Sequence, residues 1–166
     1  MQVEMNVQAV IVDRGDRFIV LLREARDAAV LPIIVGQFEA RAIDYELRRR
    51  QPSRPQTHDF LKNALTELGA VVRRVIVTEL RDETYHAVIE VNRDGHTHKI
   101  DARPSDAIAL ALRCRCPIFA EQSVLDVAGL RPGGRPAEEG EGTGGDDEVA
   151  DRFRSLISDA GLDDIE

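Results

Sequence analysis

The chain has 166 residues, no tryptophan, two tyrosines and only 4% aromatic residues. A row of rings on which unpaired bases could stack is therefore excluded. Its two cysteines, Cys114 and Cys116, are too few for a disulfide framework or a zinc set. They read most simply as small apolar residues at a helix end, with a redox pair as the weaker alternative. No apolar run approaches the roughly 18 residues of a membrane span. The opening MQVEMNVQ has neither a basic start nor an apolar stretch. The expectation is a cytoplasmic protein with no membrane contact. Standard catalytic signatures are missing as well: there is no P-loop, no G-x-S-x-G, no H-E-x-x-H and no C-x-x-C.

Charge, by contrast, is abundant: 31% of residues are charged, with a formal net of −8. An acidic sum argues against a nucleic-acid partner, but the acids are unevenly placed. Residues 137–166 hold 11 acids and two arginines, a net of −9, whereas residues 1–136 stand at +1. Lys62 and Lys99 are the only lysines. The other basic residues are arginines, which make bidentate phosphate contacts. The acidic stretch reads either as an imitation of nucleic acid that occupies a basic groove or as a solubilising tail.

Periodicity predicts strands at 3–12, 18–22 and 30–35, with Val3, Met5, Val7, Ala9 and Ile11 sharing one face of the first. The continuous apolar run Phe18–Leu22 suits a strand buried on both faces, and Pro32 points to an edge or a bulge. A helix is predicted over 37–50, with Phe38, Ala42, Ile43 and Tyr45 on its apolar side. A second helix begins at an N-cap Thr57, carries Leu61, Ala64, Leu65 and Leu68 inward, and closes at Gly69. Strands follow at 71–80, 85–91 and 96–102. The turn between the last two is either the four residues 92–95 or the pair Asp94-Gly95. Either way His86 and Asp101 share one face, while His96 and His98 lie on the other. Pro104 opens a helix through Cys114; a short strand at 117–120 and a short helix at 121–128 complete the domain. Runs of strands separated from runs of helices indicate an α+β domain over 1–130, with a mixed, largely antiparallel sheet and helices packed against it. Residues 131–147 have the composition of a flexible acidic Gly/Pro-rich linker, and 148–166 that of a short amphipathic C-terminal helix or tail.

Two polar clusters sit at element boundaries. In Arg54-Pro55-Gln56-Thr57-His58-Asp59, backbone N–H groups and Arg54 suit a phosphate, and His58 suits a general acid or base. The alternative is plain helix capping. In Asp101-Ala102-Arg103-Pro104-Ser105-Asp106, two carboxylates suit a hard divalent cation. Capping and an Arg103–Asp pair that fixes the turn are again the alternative. Glu39, in the first turn of its helix, either caps or points a carboxylate at the same cleft.

Together these segments resemble the bifunctional nuclease family. The likeness runs through Leu31-Pro32-Ile33-Ile34-Val35-Gly36-Gln37-Phe38-Glu39-Ala40, Arg54–Asp59, Tyr85-His86-Ala87, Ile100–Ala111 and Pro117-Ile118-Phe119, in that order, and covers about residues 3–130. The resemblance implies an α+β domain of a bacterial kind, a homodimer, and hydrolysis of both DNA and RNA. It singles out Glu39, Arg54, Thr57, His58, Asp59, Asp101, Arg103, Ser105 and Asp106. If the protein is a phosphodiesterase, the chemistry of the two clusters makes His58, Asp59, Asp101, Asp106 and Glu39 catalytic. Arg54, Thr57, Arg103 and Ser105 contact the substrate, and Asp101 and Asp106 hold Mg²⁺ or Mn²⁺. The competing reading is a non-catalytic regulatory or ligand-binding module in which the same residues are structural caps. The enzyme reading requires the His58 and Asp101 clusters to meet.

Overall fold

Asp94 and Gly95 both take positive φ, 51° and 79°. This is the two-residue turn whose twist matches paired antiparallel strands. It decides the register of the hairpin: Arg93 faces His96 and Val88 faces Asp101. The computed structural model describes residues 1–27 and 29–131. Residues 132–166, which hold most of the expected linker and the expected terminal helix, lie outside the described residues.

The elements are β1 (Gln2–Val12), β2 (Phe18–Glu24), β3 (Val30–Val35), α1 (Gln37–Leu47), α2 (Thr57–Glu67), β4 (Val71–Arg81), β5 (Thr84–Arg93), β6 (His96–Ala102), α3 (Pro104–Cys114), β7 (Ile118–Glu121) and α4 (Gln122–Ala128). The strands form one sheet in the order β3-β2-β1-β7-β4-β5-β6. Only β4 and β7 pair in parallel; the other neighbours are antiparallel. The expected α+β class and the order of elements are both present. Pro32 lies on β3, an edge strand, where a missing N–H costs no ladder bond.

Alternation in β1 does not run unbroken. A bulge between Val7 and Ala9 shifts the pairing with β2. Val3, Met5, Val7 and then Val10 pack on the helix side, whereas Ile11 joins a small apolar cluster with Ile19, Leu21 and Val30. One extra residue reverses strand parity, which simple periodicity over 3–12 could not anticipate. β2 is buried on both faces as its unbroken apolar run requires: Val20 and Leu22 enter the main core and Ile19 and Leu21 the smaller cluster.

The main core lies under α3. Ala107, Ile108, Ala109, Leu110 and Ala111 are each at most 1% exposed. A helix apolar on nearly every side must be covered on every side. The sheet covers one flank, and α1 and α2 cover the other. The sheet curls enough for the Tyr85 hydroxyl of β5 to donate to the Pro32 carbonyl of β3 at 3.2 Å. Burial there pushes the phenol up to about 12.

Both outer helices differ from expectation. α1 ends at Leu47 because Arg49 adopts the left-handed conformation, φ 51°, so the arginine run 48–50 lies beyond it. Phe38 is 81% exposed; Ala40, Ala42 and Ile43 are the buried side. In α2 the N-cap is Gln56 and Thr57 is the first helical residue. Leu61 and Leu68 are exposed, and His58 is the buried residue.

Candidate active site

The three helices that cover the core share a local pattern. Each places an acid at its third residue: Glu39 in α1, Asp59 in α2 and Asp106 in α3. Carboxylates there complement the unpaired N–H groups and the positive end of the helix dipole. Sequence alone supports that capping role for all three. The fold adds convergence, because the first turns of α1, α2 and α3 meet.

At the meeting point the Arg103 guanidinium bridges two carboxylates. Its terminal nitrogen lies 2.8 Å from Glu39 Oε1, and its Nε donates to Asp106 Oδ2 at 2.7 Å. The other oxygen of Asp106 lies 3.0 Å from His58 Nε2. Burial raises the Asp106 pKa, but the Arg103 and His58 hydrogen bonds and charges outweigh it and hold the carboxyl below its ordinary value. An ionised Asp106 accepts the Nε2 proton, so in neutral His58 it is Nδ1 that can take a proton. The His58 side chain is 10% exposed. Glu39 folds back over Gly36, where a Cβ would lie 2.3 Å from Glu39 Oε2. Any side chain at position 36 would swing that carboxylate away.

A second polar joint lies behind the first. Asp59 Oδ2 accepts the Gln56 N–H at 2.8 Å, and Asp59 Oδ1 accepts from Arg113 Nε at 2.7 Å. Arg113, only 3% exposed, also donates to the carbonyls of Ala109 and Ala42. It therefore ties α3, α2 and α1 together. For Asp59 too, burial raises the pKa, while Gln56 and Arg113 together lower it below its ordinary value.

The structure thus brings together Glu39, His58, Arg103 and Asp106, with Asp59 one step behind. Ser105 is buried beside them in the first turn of α3. Arg54 and Thr57 are exposed at the approach to α2. Asp101 is not brought in. It pairs with Val88 on β5, whose alternate residues Ala87 and Ile89 face the helices, so Asp101 is exposed on the opposite face of the sheet. Asp101 and Asp106 therefore do not converge. Among the described residues no group of three or more His, Cys, Asp and Glu side chains is placed to hold a metal ion. The carboxylates that do converge share a guanidinium, and that donor set does not fit a divalent cation. Gln56 was expected only as a member of the first cluster, and Arg113 was not expected at the site. Arg113 carried a usable signal, as a cation on the inward side of an otherwise apolar helix. The two cysteines are half-buried; burial raises the Cys114 thiol and pushes that of Cys116 up to about 11, so both stay protonated at neutral pH.

The lowered carboxyls carry a pH consequence. Unfolded Asp titrates near ~4. A lower value in the folded state means that the stability contributed by Asp59 and Asp106 is complete above that pH and is lost as pH falls through the folded-state values. The urea midpoint is expected to drop steeply below about pH 4, and Asp59→Asn to make that drop shallower. An equally steep drop in the variant would refute the linkage.

Comparison with known proteins places the chain in a family. Residues 20–132 match the bifunctional nuclease domain. An uncharacterized protein of Mycobacterium tuberculosis is 37% identical over 147 residues, 89% of this chain and 87% of that protein. Bifunctional nuclease 2 of Oryza sativa subsp. japonica is 33% identical over 116 residues, 68% of this chain and 36% of its own length. Bifunctional nuclease 1 of Arabidopsis thaliana is 32% identical over the same number of residues, 68% and 36%. The matched region contains the whole polar network. The chain belongs to the bifunctional nuclease domain family. No described helix is long and apolar enough to cross a membrane.

Proposed function

We propose that the protein hydrolyses phosphodiester bonds in DNA and RNA with low sequence specificity, at the junction of the first turns of α1, α2 and α3. The observation that carries this reading is the His58–Asp106 hydrogen bond of 3.0 Å beside the Arg103 guanidinium. Asp106 orients the imidazole, and His58 Nδ1 takes a proton from the attacking water or returns one to the leaving oxygen. Arg103, whose side chain is 65% exposed, offers charge to the phosphate. Glu39 holds Arg103 in place. The family names support the substrate class, and the same reading takes the protein to be a cytoplasmic homodimer.

The Arg103 guanidinium bridges Glu39 and Asp106, and with that arrangement kept, cleavage is expected to persist in excess EDTA. The check is cleavage of labelled single-stranded DNA and RNA by purified protein, with activity followed across the elution peak. Cleavage abolished by EDTA and restored by Mn²⁺ would overturn the metal-free arrangement. Activity that separates from the protein would overturn the enzyme reading. One feature favours the non-catalytic alternative: both oxygens of Asp106 and of Asp59 already have partners. A purely structural joint would show tight folding, no turnover and no effect of chelator.

A further inference from the structure

The polar network is nearly self-neutralised. Glu39, Asp59 and Asp106 set three carboxylates against the two guanidiniums of Arg103 and Arg113. Such a site does not draw a polyanion from solution. Attraction must come from cations outside it, and one segment stands out.

From Arg48 to His58 the chain carries four arginines and no acid. Arg48, Arg49, Arg50 and Arg54 are all exposed. Arg48 pairs with Asp44 at 2.8 Å yet keeps a 62% exposed side chain. Among the described residues, Arg49, Arg50 and Arg54 make no ion pair with a carboxylate. α1 and α2 end in the same hydrogen-bonded turn: Arg49 N–H to Glu46 O and Arg50 N–H to Tyr45 O in one, Gly69 N–H to Thr66 O and Ala70 N–H to Leu65 O in the other. The left-handed position is Gly69 at the end of α2 but Arg49 at the end of α1, as Arg115 is at the end of α3. Glycine takes that conformation without a steric cost, and an arginine does not. Pro52 and Pro55 then flank Arg54 and restrict the backbone around it.

The segment is also correctly placed. α1 rises about 1.5 Å per residue, which puts Arg48 at the far end of the helix whose first turn carries Glu39. Arg54 is four residues from His58, about 14 Å of chain at most. We propose that Arg48, Arg49, Arg50 and Arg54 form a track for the phosphate backbone of a nucleic-acid strand leading to the site. This rests on the substrate class of the proposed function, but not on catalysis.

The experiment uses the full chain and a fluorescein-labelled 20-mer of deoxythymidine, with binding followed by anisotropy from about 50 to 200 mM salt. Arg49→Gly and the double variant Arg49→Gly/Arg50→Gln are compared with the unaltered protein. Each lost phosphate contact on a single strand lowers the salt slope by about 0.7. The double variant is expected to bind about tenfold more weakly at 0.1 M salt, with a slope smaller by about 1.4. Arg49→Gly is expected to keep or raise the Tm while weakening binding, a combination that a merely structural arginine would not give. Unchanged affinity and slope in the double variant would overturn the track. So would failure of the unaltered protein to bind the oligonucleotide at 50 mM salt. Hydrolysis of bis(p-nitrophenyl) phosphate is followed in parallel on the unaltered protein. Its absence, together with the expected binding losses, would refute the catalytic reading and leave the track standing.

Discussion

Arg113→Ala is expected to lower the free energy of unfolding by about 3–5 kcal/mol, the range found when one partner of a buried charge pair is removed. The reason is the partner left behind. Asp59 accepts from Arg113 at 2.7 Å, and alanine strands that carboxylate with only the Gln56 N–H. The guanidinium also reaches the Ala42 and Ala109 carbonyls, so contacts among all three helices go with it. Combining Arg113→Met with Asp59→Asn removes both charges. The double variant should then be more stable than the sum of the single losses by about 1–3 kcal/mol. Urea denaturation of the unaltered protein, Arg113→Ala, Arg113→Met, Asp59→Asn and the double variant measures this. A loss under about 1 kcal/mol for Arg113→Ala would show that the joint is not a buried ion pair of consequence.

His58→Gln is expected to reduce cleavage of single-stranded DNA at least about a hundredfold, the scale of a lost general acid or base. Glutamine still offers an N–H to Asp106 and fills much of the same space, so the far-ultraviolet circular dichroism should be unchanged. Asp106→Asn removes the charge that orients the imidazole and should cost about tenfold or more, with the pH–rate profile shifted. Asp101→Asn should change the rate less than about threefold, because Asp101 lies across the sheet from the network. Full activity in His58→Gln would end the assignment of His58. A large loss in Asp101→Asn would mean that the two faces of the sheet cooperate, which this arrangement does not provide.

Much of this was legible before folding. The apolar run 18–22 and Pro104 at a helix start are local signals, and both elements formed where they were expected, while of the two turns open at 92–95 the structure takes Asp94-Gly95. The His58 and Asp106 clusters were visible as polar residues at helix starts. What periodicity could not carry was direction. The β1 bulge moved the inward face from odd to even residues. Phe38 turned outward because α1 buries its small residues, Ala40 and Ala42, against α3. Asp101 and Asp106, five positions apart, ended on opposite sides because the strand ends between them. Arg113 went unread because a charged residue in an apolar helix declares a buried partner without naming it, and Asp59 lies 54 residues away.

α2 contributes the imidazole, yet His58 is its only buried residue, and Phe60, Leu61 and Leu68 face outward. Its grip on the body relies on the partners of His58 and Asp59 more than on apolar burial. Stability is not uniform across a structure, and elements with little buried surface open first. Among the three helices that meet at the site, α2 is thus the one held by the least apolar burial. Its release would take the imidazole from Asp106 while the sheet and α3 stayed closed. On the proposed function, cleavage would then fail before the sheet unfolded.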